Sequence, residues 1–164
     1  MAKKVKKASK KSGSKSSKKA TKPSKAKKAP SRSDLDPVPV NTGKGATPAE
    51  IGASLVTMFN NGEMDKIEKK WWNNDEIVSI EGVGVSLAWI GEKAVRAKGA
   101  EWMADNQIHG ASAEGPYVGA TGFAVKFVMD VTTKSTGERR TMTEIGVYTV
   151  EDGKIVIEEF MYSA

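Results

Sequence analysis

The sequence predicts an α+β domain in which three helices cover one face of a curved antiparallel sheet. Two observations lead to this fold class. Apolar residues recur at helical spacing through most of residues 47–106, and four long β-rich runs separated by short turns fill the remainder of the chain. The segment from residue 47 to residue 164 is long enough to bury a hydrophobic core.

The first predicted helix has a clear start signal. Thr47 suits the capping position, Pro48 suits the first helical position, and Glu50 stands three residues after the cap. The apolar residues that follow form one stripe at helical spacing, namely Ile51, Leu55, Met58 and Phe59. Asn60-Asn61-Gly62 ends this helix, so we expect the next element to begin directly afterwards.

The remaining elements follow from changes in the apolar pattern. The spacing of Met64, Ile67 and Trp71 predicts a short second helix. Residues 76–81 are predicted to form a strand that leads into a glycine-rich crossing, and residues 91–106 are predicted to form a third helix. The four later strands are predicted at residues 108–118, 123–133, 139–150 and 154–162. Glu158 and Glu159 must point to opposite faces of the last strand, and the sequence leaves open which of them points inward.

Residues 1–46 read as a disordered basic tail followed by a Pro/Gly linker. Residues 1–33 hold fourteen Lys or Arg and no acid, whereas the remainder holds twelve bases and twenty acids, so the net charges are +14 and −8. The lysines chosen as polyanion contacts are Lys3, Lys4, Lys6, Lys7, Lys10, Lys11, Lys18, Lys19, Lys27 and Lys28. The segment resembles the tails of linker histones; the alternative is a solubilising extension.

The composition excludes several classes of protein. The absence of cysteine removes disulfide scaffolds, thiol nucleophiles and cysteine-based metal sites, and a single histidine, His109, removes a histidine-rich metal site. No apolar run approaches the roughly 18 residues of a membrane helix, and no apolar segment follows the basic N-terminus as in a secretory signal. We therefore expect a cytoplasmic protein without metal or cofactor, associated with the nucleoid if the tail binds nucleic acid.

Several short motifs resemble those of one superfamily. They are the string NNGEMDKI between the first two helices, Asp75 before the first strand, the glycines around Glu81, and the terminal DGKIVIEEF. With the element order, they make residues 47–162 similar to the nuclear transport factor 2-like superfamily, and in particular to its SnoaL-like branch. The resemblance implies a cone-shaped fold with an apolar pocket at its open end and a homodimer through the outer face of the sheet.

The steroid-isomerase members of that superfamily offer a comparison at residue level. Their general base is an acid beside a glycine-bearing turn at the end of the first strand, and Glu81 resembles it within Ile80-Glu81-Gly82-Val83-Gly84. Their two oxyanion donors fall here on Leu55 and near Ile145 or Gly146, which have no side-chain donor. The resemblance therefore implies a proton-transfer site and argues against ketosteroid isomerase activity.

Several residue types indicate candidate site positions. Glu81 and His109 are the candidate acid–base pair, because histidine is the side chain that changes charge near neutral pH; a strand-end acid and a structural histidine are the alternatives. The candidate pocket residues are Trp72, Trp89, Trp102, Met58, Phe127, Met142 and Glu144. The alternative is that these large apolar residues belong to the hydrophobic core and do not line a pocket.

Two functional hypotheses follow from the sequence. In the first, the domain binds a small, largely apolar molecule and carries out cofactor-free acid–base chemistry of isomerase, cyclase or hydratase type, because no phosphate loop, dinucleotide fingerprint or metal cluster is present. In the second, the protein is a non-catalytic dimeric interaction module whose tail binds nucleic acid or another polyanion. The two hypotheses are compatible, since they concern different parts of the chain.

Overall fold

A computed structural model describes residues 43–162; the predicted basic tail and most of the linker therefore lie outside the described residues. Within this range are three helices and six strands. The helices are α1 (Pro48–Asn60), α2 (Met64–Trp71) and α3 (Glu92–Asp105). The strands are β1 (Val78–Glu81), β2 (Leu87–Ile90), β3 (Asn106–Val118), β4 (Gly122–Thr133), β5 (Glu138–Glu151) and β6 (Lys154–Tyr162).

Helix α1 begins with the capping arrangement that the sequence predicts. The backbone N–H of Glu50 donates to Thr47 Oγ1 at 3.2 Å, and the backbone N–H of Thr47 donates to Glu50 Oε2 at 2.8 Å. Ile51, Leu55 and Phe59 are buried along the helix and face the sheet. The N-terminal cap and the apolar stripe therefore fix both the start of α1 and the face that it turns to the core.

The sheet is curved, mixed and unclosed, with the strand order β2-β1-β6-β5-β4-β3. Strands β3 to β6 form the expected antiparallel meander, but β1 pairs with β6 in parallel, so the expectation of a purely antiparallel sheet needs this correction. Strand β2, for which the sequence pattern predicted no element, pairs with β1 as an edge strand. The α+β fold class is otherwise confirmed, with the helices on one face of the sheet.

The core lies between α1 and the inner face of the sheet. Strand β4 supplies alternate buried residues, Phe123, Val125, Phe127, Met129 and Val131. The rings of Phe59 and Phe127 meet at a centroid distance of 4.7 Å. Trp71 Nε1 donates to Ser54 Oγ at 3.0 Å and thereby ties α2 to α1. This packing holds the helices over β4, β5 and β6 and leaves a cavity between the two layers.

Candidate functional site

A cavity of about 210 Å³ lies between the helices and the inner face of the sheet. Its wall is mostly apolar and aromatic, with contributions from Leu55, Phe59, Trp72, Trp102, Phe127, Met129, Ile155 and Phe160. Glu81, Lys98, Glu144, Tyr148 and Glu158 add polar groups to this wall. A few polar groups in an apolar concavity are typical of small-molecule sites.

The alternation of the strands places these polar groups in the cavity. Glu144 and Tyr148 lie four residues apart on β5 and therefore share its inner face, with Gly146 between them. Glu158 on β6 pairs with Tyr148 on one side and with Ser79 of β1 on the other. Glu158 is 6% exposed whereas Glu159 is exposed, so the structure identifies Glu158 as the inward glutamate.

Lys98 on α3 brings the one ammonium group to this cluster. Its Nζ lies 2.9 Å from Glu81 Oε1 and donates to Ser79 Oγ at 2.7 Å. The side chains of Lys98 and Glu81 are only 17% and 20% exposed, and the ammonium lies 4.8 Å from the ring centroid of Phe160. An ion pair that is mostly withdrawn from water and bordered by an aromatic face is held more rigidly than one on the surface.

Two further carboxyls, those of Glu144 and Glu158, face the cavity. Burial raises the pKa of Glu144 to about 7, the charge of Glu81 adds to the shift, and Lys98 opposes it. Burial also raises the pKa of Glu158 to about 7, again against the opposing effect of Lys98. Both groups therefore exchange protons near neutral pH, the range in which a general acid or base works best.

Tyr148 on β5 is buried near these two carboxyls, at 5% exposure. Its ring stacks on Phe123 at a centroid distance of 4.9 Å and meets Phe160 edge-on at 6.3 Å. Burial raises the pKa of its hydroxyl, with smaller contributions from Glu158 and Glu144. The phenol therefore stays neutral and can act as a hydrogen-bond donor.

A more polar groove of about 590 Å³ adjoins the cavity and shares Glu81, Trp102 and Glu144 with it. The groove is completed by residues from β5 and the end of β6, namely Glu138, Arg140, Thr141, Met142, Thr143 and Tyr162. The shared residues connect the interior of the domain with its surface.

The structure places five of the residues chosen from the sequence around the cavity: Trp72, Trp102, Phe127, Glu81 and Glu144. Met142 lines only the adjoining groove. Trp89 lies outside the cavity wall, with its ring 5.5 Å from Lys98 Nζ, and Met58 packs against the core from α1. These last three side chains thus surround or support the cavity without forming its wall.

His109 lies away from the cavity. His109 lies where the pairing of β3 with β4 shifts register between Ile108 and Gly110. Ile108 lines the wall, whereas His109 is exposed and its Nε2 lies 2.8 Å from Thr132 Oγ1. The structure therefore does not bring the predicted pair of Glu81 and His109 together. The groups that it brings to Glu81 are Lys98, Glu144 and Tyr162 instead.

Lys98, Ser79 and Tyr148 are the site residues that the sequence analysis missed. Ser79 and Glu81 share one face of β1, so alternation could have linked them, but nothing in the local pattern of α3 marks Lys98. Among residues 43–162 no group of three or more His, Asp or Glu residues is arranged to hold a metal ion. In the same range no helix is long and apolar enough to cross a membrane.

Comparison with known proteins identifies relatives of this fold. A family model described as a SnoaL-like domain matches residues 46–162, while a search of curated proteins gave no match. A candidate SnoaL-like polyketide cyclase from Mesorhizobium loti, also described as a carbohydrate phosphatase, is 40% identical, with a TM-score of 0.67 over 71% of this chain and 100% of that chain.

Two more distant structures are similar in fold. A candidate SnoaL-like polyketide cyclase from Jannaschia sp. CCS1 is 13% identical, with a TM-score of 0.58 over 79% of this chain and 91% of that chain. A candidate isomerase from Bacillus subtilis is 16% identical, with a TM-score of 0.55 over 71% of this chain and 86% of that chain. With the family match and the α+β cone around its cavity, this chain belongs to the SnoaL-like domain family.

Proposed function

We propose that the SnoaL-like domain binds a small, largely apolar molecule in its cavity and transfers a proton on that molecule without a cofactor. One observation carries the proposal. Two carboxyls with a pKa of about 7, those of Glu144 and Glu158, face the same apolar cavity as the ion pair of Glu81 and Lys98. Titratable groups with shifted pKa values in a concave site are the usual mark of acid–base chemistry.

Glu144 is the general base in this proposal. It lies where the cavity meets the groove, so a bound molecule can contact it from either space. A carboxylate with a pKa near the working pH accepts a proton readily and also returns it. In its ionised form, Glu144 takes a proton from the carbon beside a carbonyl, and it later returns that proton to the same or to a conjugated carbon.

Glu81, the base favoured by the sequence, has a different role here. Its carboxylate is paired with Lys98 at 2.9 Å, so in this structure it is engaged in an ion pair at the cavity wall. The negative charge of Glu81 also contributes to the raised pKa of Glu144. The Glu81–Lys98 pair therefore sets the electrostatic environment of Glu144 and positions Lys98 against Ser79.

Hydrogen–deuterium exchange tests this proposal without knowledge of the natural substrate. 2-Tetralone is a compact apolar ketone, and NMR in D₂O reports how fast the protons beside its carbonyl are replaced. We expect the wild type to accelerate this exchange and Glu144→Gln to lose about 100-fold or more of the acceleration, because glutamine cannot accept the proton.

Glu159→Gln is the matched control, since Glu159 is an exposed glutamate on the outer face of β6. It is expected to keep the wild-type exchange rate. No acceleration by a folded wild type, or equal rates for wild type and Glu144→Gln, would contradict the proposal. Native mass spectrometry of protein purified from its own host would then show whether a molecule occupies the cavity without being transformed.

A second candidate function concerns the basic segment and rests on its charge alone. Fourteen Lys or Arg without an acid in residues 1–33 favour binding to a polyanion such as DNA, through phosphate contacts that do not read the bases. As a homodimer the protein would carry two such segments and gain avidity. In this proposal a cytoplasmic protein is held at the nucleoid, with or without catalysis in its cavity.

A truncated chain beginning at Asp34 tests the second candidate. Full-length protein is expected to bind duplex DNA with an affinity that falls steeply as salt increases, because each phosphate contact releases counterions. The truncated chain, with a net charge of −8, is expected to lose this binding. Equal binding by the two proteins in a mobility-shift titration would exclude the basic segment as the DNA contact.

A further inference from the structure

We infer that Arg140 binds a carboxylate of the molecule whose apolar part enters the cavity. The ligand class is then an apolar carboxylic acid, with its carboxylate in the groove and several bonds away from the part that reaches Glu144. This inference rests on the proposed function and specifies its substrate class. It gives a role to a side chain that lines the groove and takes no part in the proposed proton transfer.

Arg140 lies on the same face of β5 as the residues of the site. Its partner on β4 shows this, because residues directly opposite each other point to the same side of a sheet. Arg140, Met142 and Glu144 stand opposite three buried residues of β4, namely Val131, Met129 and Phe127. Arg140 is therefore the first of a row of side chains that leads along the inner face of β5 to Glu144.

The guanidinium of Arg140 has donors that the protein does not use. Its Nη1 donates to Thr133 Oγ1 at 2.7 Å, and its Nη2 lies 3.8 Å from Met142 Sδ, which is a weak acceptor. Among residues 43–162 no carboxylate oxygen lies within 4.0 Å of this guanidinium. A guanidinium presents five N–H groups in a planar fork, so most of them remain available to a ligand.

The neighbouring Arg139 shows a guanidinium of the same sheet with its carboxylate in place. Arg139 stands opposite Thr132, on the outer face. Its Nε and Nη2 donate to the two carboxylate oxygens of Asp130 at 2.9 and 2.5 Å. Two parallel bonds of this kind are the strong and specific way in which arginine binds a carboxylate. Arg140 has the same fork on the inner face without such a partner in the described part of the chain, and a ligand in the groove can supply one.

The acids of the groove do not prevent this contact. Glu81 is already engaged by Lys98 at 2.9 Å, and burial raises the pKa of Glu144 to about 7, so Glu144 is partly neutral near that pH. Glu138 is the remaining acid, and because it is exposed, water and salt screen its repulsion of a ligand carboxylate. Attraction at the short distance of an ion pair with Arg140 is stronger than that screened repulsion.

The spacing of Arg140 and Glu144 sets the length of the ligand. Four residues of extended strand place their Cα atoms about 13 Å apart. Glu144 lines both the cavity and the groove, whereas Arg140 lines the groove alone. A molecule that contacts both side chains therefore needs a chain of several carbons between its carboxylate and the part beside Glu144.

An acid and an amide of equal shape test the role of Arg140. 6-Phenylhexanoic acid carries a carboxylate at the end of an apolar chain, and 6-phenylhexanamide has a neutral group of the same size in its place. In calorimetric titrations at pH 7 we expect the wild type to bind the acid more tightly than the amide. Arg140→Gln is expected to weaken binding of the acid about fivefold or more and to change binding of the amide less than about twofold, because only the acid loses an ion pair.

Arg139→Gln is the matched control. It removes the same charge from the adjacent residue, but on the outer face of the sheet. It is expected to change the affinity of neither probe by more than about twofold. Equal weakening of the acid by both variants would mean that net charge alone attracts it, and an unchanged affinity of Arg140→Gln for the acid would exclude the contact. Either result overturns the inference.

A spectroscopic measurement decides the question should Arg140→Gln fail to fold. The Nε–H groups of the arginines give separate NMR signals in ¹⁵N-labelled wild type, and the conservative Arg140→Lys identifies the signal of Arg140 by its loss. We expect the acid to shift this signal and the amide to leave it in place. An acid that binds without shifting the signal of Arg140 would overturn the inference.

Failure of this inference and failure of the proposed function give different results. 2-Tetralone has no carboxylate, so exchange of its protons tests Glu144 without the contact to Arg140. If the wild type accelerates that exchange but binds 6-phenylhexanoic acid no better than its amide, the carboxylate site alone is excluded. If the folded wild type neither accelerates the exchange nor binds either probe, both proposals fail.

Discussion

Glu158 shows how folding changes the chemistry of a single residue. Its carboxyl moves from water to a site that is 6% exposed, beside Lys98 and Ser79, with Glu144 and Glu68 as the acids whose charges also act in this cluster. The pKa rises from an ordinary 4.5 to about 7, so the folded protein holds a proton that the unfolded chain has released. The charged form of Glu158 therefore works against folding.

This shift predicts a pH-dependent stability with a definite sign. Between about pH 4.5 and 7 the folded state binds more protons at Glu158 than the unfolded state, so stability falls as pH rises and levels off above 7. Glu158→Gln removes this cost and should raise the free energy of unfolding at pH 8 by up to about 3 kcal/mol. Urea denaturation across this pH range measures the difference between the two proteins.

Glu159→Gln provides the control for this prediction, because Glu159 follows Glu158 in sequence but is exposed. Its difference from the wild type should stay small and constant with pH. A constant difference for Glu158→Gln as well would mean that Glu158 has an ordinary pKa in the folded protein.

At the scale of elements, local signals specified the helices well. The Thr47–Glu50 capping pair, Pro48 and the stripe of Ile51, Leu55 and Phe59 are all local in sequence, and each acts in α1 as predicted. The alternation of β4 likewise identified its buried face. Capping and periodicity depend on neighbours within one or two turns, so a single sequence contains what they require.

Edge and crossover elements were harder to predict. Strand β2 has four residues, of which Leu87, Ala88 and Ile90 are exposed, so no alternation of buried and exposed positions marks it. The parallel pairing of β1 with β6 joins segments more than 70 residues apart, such as Val78 and Ile157. Nothing local in either strand specifies that partner, whereas consecutive strands with short turns favour antiparallel pairing.

In the site, too, some residues could be predicted from the sequence and others depend on tertiary contacts. Glu81, Glu144, Trp72, Trp102 and Phe127 could be chosen by residue type, and they lie around one cavity. Lys98 and Tyr148 enter the site only because α3 crosses β1 and because β5 pairs with β6. These contacts depend on tertiary packing, and so does the choice between Glu158 and Glu159. His109 suits acid–base chemistry by residue type, but it stands at a register shift between β3 and β4 that its local sequence does not indicate.

At the scale of the whole molecule, the outer face of the sheet carries apolar side chains that the helices do not cover. Ile145 of β5 lies in register between Lys126 of β4 and Met161 of β6, and Met161 is 50% exposed. Val147 and Val128 extend this face along the same strands and are half-buried. Exposed apolar surface on a sheet favours association with another surface.

The expected homodimer would use this face, and one substitution tests it. A C2 dimer repeats each contact twice, so Ile145→Arg places two charges in the interface and should shift the protein to monomer in sedimentation analysis. Glu101→Arg, on the exposed side of α3, is the control and should sediment like the wild type. A dimer that persists in Ile145→Arg would assign the interface to another surface, and a wild-type monomer would exclude the homodimer. Acceleration of 2-tetralone proton exchange by the Ile145→Arg monomer is expected to continue, because the cavity lies on the opposite face of the sheet.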